Sequence, residues 1–154
     1  MSFAPIRDAF ITLLNTVEDI GVIHNRIRHF TFWDEFFKGT TENNQLSTWE
    51  VSRRALAEEI ASVGGAEGNE PCYTDLHTLL LTGRMAVNDV GESEITFQNL
   101  IDAITVAQRL DNRLGGEILQ PAFMQTELIE HRDYGGVLVH YCEMTLLARR
   151  RERG

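Results

Sequence analysis

Lysine is almost absent from this sequence. Lys38 stands alone among 14 basic residues, and arginine supplies the rest, a bias read first as genome composition. Basic residues as a whole are too few to balance 23 acidic ones, so the net charge is -9. That excess argues against a general DNA or RNA clamp, whose affinity comes from neutralising phosphates. Cysteine is scarce too. Cys72 and Cys142 lie far apart and outside any CxxC spacing, so reduced thiols are expected rather than a disulfide framework. No run approaches the roughly 18 consecutive apolar residues of a membrane-spanning helix. Arg7 and Asp8 fall where a signal peptide would need its apolar stretch, which argues against secretion. Repeats and low-complexity tracts are missing as well.

What is present is the composition of a single globular domain spanning 1–154, with 43% hydrophobic and 24% charged residues. A chain of this length buries about two-thirds of its extended surface, so it can fold without a metal or a disulfide. Ile6, Phe10, Leu13, Leu14 and Val17 recur at helical spacing and predict a helix over Pro5–Asp19, stopped by Gly21. Gly21–Arg28 is short and β-branched, with Ile23 and Ile27 on one side, and reads as a strand. Thr31-Phe-Trp-Asp34 matches a capping box and predicts a short helix through Phe37. The polar run Thr40–Gln45 reads as a loop.

Ser47–Ala57 alternates weakly and reads as a strand, with Trp49, Val51 and Ala55 on one face and Arg53 interrupting it; Ala55–Ile60 is equally compatible with a helical turn. The glycine-rich stretch 61–71 reads as a mobile loop. Tyr73–Val87 is the clearest long strand, with Leu79, Leu81, Gly83 and Met85 on one face. Asn88–Gly91 has turn chemistry, and Ser93 is placed to cap the next helix. That helix, Glu94–Leu110, carries a stripe of Phe97, Leu100, Ile101, Ile104, Ala107 and Leu110. Phe123–Arg132 and Val137–Arg149 then form a hairpin around Asp133-Tyr-Gly-Gly136. Adjacent strand pairs separated by one long helix predict an α+β fold: an antiparallel sheet of about four to five strands with helices packed on one face.

The chemistry-bearing residues do not assemble into a familiar signature. The five histidines show neither HxxxH nor HxH spacing, so no metal site is expected. His140 and Cys142 share one face of the last strand, but side chains two apart on a strand start about 6–7 Å from each other, and a Cys–His nucleophile also needs an orienting third group. No serine sits in a G-x-S-x-G elbow, and the paired glycines lack the Lys-Ser/Thr of a phosphate loop. The expectation is a protein with no catalytic, cofactor-binding or metal-ligating residues, and no cofactor. Two segments suggest contacts instead. Phe30, Phe32, Trp33, Phe36 and Phe37 crowd more aromatic surface into one short stretch than a single small helix readily buries. Arg149, Arg150 and Arg151 begin an arginine-rich end, 149–154, read as flexible and solvated or as paired with an acidic neighbouring subunit.

Several segments together resemble the tail terminator and neck (head-tail completion) proteins of long-tailed bacteriophages. They are Gly21-Val-Ile-His-Asn-Arg26, Phe32-Trp33 before Phe36-Phe37, Trp49-Glu-Val-Ser-Arg-Arg54, Leu79-Leu-Leu-Thr-Gly-Arg-Met-Ala-Val-Asn-Asp89, Ser93-Glu-Ile-Thr-Phe97-Gln-Asn-Leu100 and His131-Arg-Asp-Tyr-Gly-Gly-Val-Leu-Val-His140-Tyr-Cys-Glu-Met-Thr-Leu146. The likeness rests on hydrophobic pattern and glycine placement and covers most of the chain in order. It implies a structural virion protein, made in the bacterial cytoplasm, that forms a homo-hexameric ring at the head-proximal end of the tail. Its partners would be itself, the tail tube protein and the neck or connector protein, with DNA passing through unbound and no membrane involved. A head-tail joining or tail completion protein at another position in the neck is the neighbouring reading. A small α+β enzyme using His140, Cys142 or His131, or a bacterial binding module, are the readings from other classes.

Overall fold

The computed structural model describes residues 3–29, 41–42, 45–62 and 72–153. Helix α1 (Phe3–Leu14) buries Ile6, Phe10, Leu13 and Leu14, the expected stripe. It stops earlier than the pattern suggested. The Thr16 and Val17 amides donate to the Leu13 and Leu14 carbonyls in tight i→i+3 bonds, the Thr16 hydroxyl also donates to Leu13, and Asp19 takes a positive φ. Val17 and Ile20 remain buried in the turns that follow. Hydrophobic spacing therefore outlasted the helix that carried it.

Strand β1 is only Val22–His24. The expected continuation to Arg28 does not form, because the chain folds back on itself: the Arg28 guanidinium lies 3.3 Å from His24 Nδ1, and Ile27 is exposed rather than aligned with Ile23. The helix predicted through Thr31–Phe37 lies outside the described residues. The polar stretch expected as a loop holds a short strand, β2 (Thr41–Glu42), which pairs antiparallel with the start of β3 (Gln45–Ser62).

β3 and β4 (Cys72–Ala86) form a long antiparallel ribbon. The helical alternative for Ala55–Ile60 is excluded, since those residues ladder onto Thr78–Tyr73. The irregularity at Arg53 is a register shift between Arg53 and Ala55, a bulge that moves the side-chain alternation by one residue. The glycine-rich residues 63–71 of the expected loop lie outside the described residues; residues 61 and 62 belong to β3.

Helix α2 (Ser93–Leu110) follows, then a 3-10 turn at Leu114–Gly116, and finally the hairpin of β5 (Met124–Tyr134) and β6 (Val137–Arg153). Gly135 and Gly136 both take positive φ at the hairpin tip, the conformation a two-residue turn needs, and Asp133 accepts a hydrogen bond from the Gly136 amide. The arginine-rich end is not a free tail through residue 153: Arg149–Arg153 continue β6 and pair with Leu76–Cys72 of β4.

The sheet order is β1-β3-β4-β6-β5, with β2 on the side of β3. The fold is α+β as expected. All pairings are antiparallel except β1 on β3, a parallel contact that the intervening residues 25–44 are long enough to permit. One face of the sheet carries both helices. Phe10 and Leu14 of α1, Phe97 and Ile104 of α2, and Leu81 and Met144 of the sheet share one core. Two close approaches define it. Trp49 lies so near Gly83 that a Cβ there would sit 2.3 Å from the indole ring. The indole N–H and the Ser47 hydroxyl both donate to the Ile20 carbonyl, each at 2.9 Å, which stitches the α1–β1 turn to β3.

Candidate functional site

The histidines on the helix-covered face come together in a way the sequence did not disclose. Trp49, Phe97, His140 and His131 form a continuous column of rings, with successive centroids 5.8, 5.5 and 4.9 Å apart. Beside the third ring Ser93 Oγ lies 2.8 Å from His140 Nε2. The Asn88 amide also donates to Ser93 Oγ at 2.7 Å, and the hydroxyl keeps both a proton and a lone pair, so it can pair with either tautomer of the imidazole. His140 itself is buried. Burial, and secondarily His131, lower its pKa against an opposing pull from Glu94. Ser93 is therefore not the N-cap: Glu92 occupies that position in left-handed geometry without a side-chain cap bond.

Chemically this group is a clamp. Ser93 is 7% exposed and its hydroxyl is engaged by Asn88 on one side and His140 on the other, so it closes the 88–93 turn and ties the start of α2 to β6. Cys142, on the same strand face, is fully buried, and burial pushes its thiol up to about 12. A thiol held there is not a nucleophile near neutral pH. Among the described residues no three His, Cys, Asp or Glu side chains are grouped to hold a metal.

The opposite face of the sheet holds a second polar assembly. Glu50, almost wholly buried, pairs with Arg84 at 2.8 Å. Arg84 also donates to the Tyr134 hydroxyl at 2.9 Å and lies over the Tyr141 ring, with Arg132 3.6 Å from the centre of that ring. Burial raises the Glu50 pKa, and Arg84 works against that rise. Tyr141 is raised to about 12, by burial and by its hydrogen bond to Glu143. Further along, Arg54 reaches Glu127 at 2.7 Å, and Glu127 accepts from Thr145 at 3.0 Å. These partners come from β3, β4, β5 and β6, so the assembly braces the sheet across its strands.

Between α1 and α2 runs an open groove of about 840 Å³. Leu13, Val17, Val106 and Leu110 give it an apolar floor, and Glu18, Asp102, Asp111 and Glu117 stand along it, with no lysine or arginine in the lining among the described residues. Leu110, expected in the buried stripe of α2, is 84% exposed at this groove, and Gln108 is buried instead, where its amide donates to the Ala122 carbonyl.

Of the residues singled out as contacts, Phe32, Trp33, Phe36 and Phe37 lie outside the described residues. Arg149, Arg150 and Arg151 stand on β6: Arg150 bridges to the Glu117 carboxylate, the Arg149 carbonyl accepts from the Leu119 amide at 2.8 Å, and Arg151 is exposed. Beside them, every β3 side chain from Arg53 to Glu59 is exposed, so at the far end of the β3–β4–β6 ribbon, an arm, β3 is uncovered on both faces. No helix among the described residues is long and apolar enough to cross a membrane. No family model matches this chain, and no curated protein matches it.

Proposed function

We propose that this chain is a structural virion protein of a long-tailed bacteriophage: a homo-hexameric ring at the head-proximal end of the tail that terminates the tail tube and joins it to the neck. The observation that supports this reading best is that one subunit carries two unlike surfaces. One is the acid-edged apolar groove between α1 and α2, and the other is the exposed, arginine-bearing arm of β3, β4 and β6. Unlike surfaces join head to tail, and head-to-tail contacts close into rings when the rotation allows. The charge balance agrees. At -9 per copy, a ring repels phosphate and lets DNA pass without holding it. The sequence resemblance supplies the position in the particle. On this reading the chain does no catalysis and needs no cofactor, and its partners are its own copies, the tube protein and the connector.

The test is to supply the purified protein to tails assembled without it. The reading expects tubes of uniform length capped by a ring that can join heads. Tubes that keep elongating, with the protein unattached to their ends, would refute it.

A further inference from the structure

Resting on the ring reading, we propose that the groove between α1 and α2 receives the arginine-bearing end of β6 from a second copy of this chain. Charge selects this occupant. Among the described residues the groove lining offers four carboxylates and no basic side chain, and of these Glu18 and Asp102 are exposed with no ion pair among those residues. The end of β6 reads Arg149-Arg-Arg-Glu-Arg153, the densest positive stretch of a chain that is otherwise acidic. Shape and polarity agree. The groove floor is apolar up to the exposed Leu110, and the arm brings an exposed apolar side chain, Leu147 at 43%, on the same strand face as Arg149 and Arg151. A contact of this kind has an apolar centre and a charged rim that fixes register.

The chain already contains a sample of the interaction. Within one subunit Arg150, on the helix-facing side of β6, bridges to Glu117, a carboxylate of the groove, so an arginine of β6 and an acid of this groove already pair in sign, while Arg149 and Arg151 stand on the other face of the strand. Arg151, further out along the arm, is exposed and is the residue assigned to the neighbour's Glu18 and Asp102.

Charge reversal tests the assignment in the full-length protein. Glu18→Arg with Asp102→Arg alters the groove, and Arg149→Glu with Arg151→Glu alters the arm. Each pair should raise the concentration for half-assembly, read by sedimentation velocity, at least tenfold, while circular dichroism and the thermal midpoint stay close to wild type. Combining all four changes in one chain, or mixing the two altered proteins, should restore assembly, because reversed arms then meet reversed grooves. If wild type forms rings and both altered proteins form them equally well, the groove assignment is overturned and the ring reading stands. If each pair abolishes assembly and neither combination restores it, the two surfaces are not partners and the assignment is overturned as well. If wild type forms no ring either alone or on tails, the ring reading falls and the assignment with it.

Discussion

Phe97 is the hinge between the two kinds of chemistry in the core, with Trp49 stacked on one side and His140 on the other. It is fully buried, and truncating a buried phenylalanine costs about 3–5 kcal/mol. Phe97→Ala should lose that much in denaturant unfolding; a loss under about 1 kcal/mol would mean that the column carries little of the packing. Arg84 makes a different demand. Removing it leaves Glu50 buried without its countercharge, which costs about 3–5 kcal/mol, whereas Glu50→Gln with Arg84→Met removes both charges and should recover much of the loss. Equal destabilisation by the single and double changes would contradict that account of the pair.

The histidines give the residue scale a pH signature. Unfolded, His140 titrates near its ordinary 6.5, and in the fold burial and His131 hold it lower. Between those two values the unfolded chain binds more protons, so the stability it contributes is complete above 6.5 and is lost as pH falls toward the lowered value. His24, lowered by burial and by Arg28 and Arg26, acts in the same direction. Glu50 is raised above 4.5, so its contribution is complete below 4.5 and is lost as pH rises through the raised value, the opposite sign. Urea unfolding should show a fall in stability on acidification just below pH 6.5 that is smaller in His140→Gln. An unchanged slope in that variant would remove His140 from the account.

At the scale of elements, periodicity was informative where one face alone is buried. The stripe of α2 could be read directly, Leu110 aside, because it buries a single face, and the helix-facing residues of β4 and β6 were legible from their apolar side chains although both strands also bury polar residues such as Thr82, Tyr141 and Thr145 on the other face. β3 was harder to read. Thr48, Trp49, Glu50 and Val51 are all buried, so alternation fades where both faces are covered, and the bulge after Arg53 shifts it again. Lengths of strand beyond the helical layer carry no burial pattern at all, which is why the arginine end looked like a tail while its backbone pairs with β4. The polar assemblies were invisible for another reason. Glu50 and Arg84 are far apart in sequence and meet through strand register, and Ser93 meets His140 only where α2 docks on β6; a pattern read along one segment specifies neither. The hairpin tip, by contrast, was legible because two glycines with positive φ are a local requirement. A direct check at this scale is Gly83→Ala, which forces a methyl against the Trp49 ring and should cost about 1–3 kcal/mol by overpacking. A neutral result in denaturant unfolding would mean that the indole does not lie across the strand as described.

At the scale of the whole molecule, a strongly acidic chain with an uncovered arm and an apolar groove has two properties in tension. Charge keeps copies apart, and unlike surfaces draw them together in one geometry. The proposed closed ring would satisfy both, since every arm would find a groove and none would be left at an end, and its aggregate charge would repel DNA from the wall of an axial channel. The tail-terminator reading comes from sequence pattern alone; the surfaces proposed to make the ring were not legible there, because groove and arm are each built from segments distant in the chain. The measurement that bears most directly on this is cryo-electron microscopy of the assembled protein at the end of a tail. The account predicts a closed ring of six copies around an axial channel walled more by aspartate and glutamate than by arginine. A two-fold dimer on the finished particle, or a channel walled by the arginines, would contradict it.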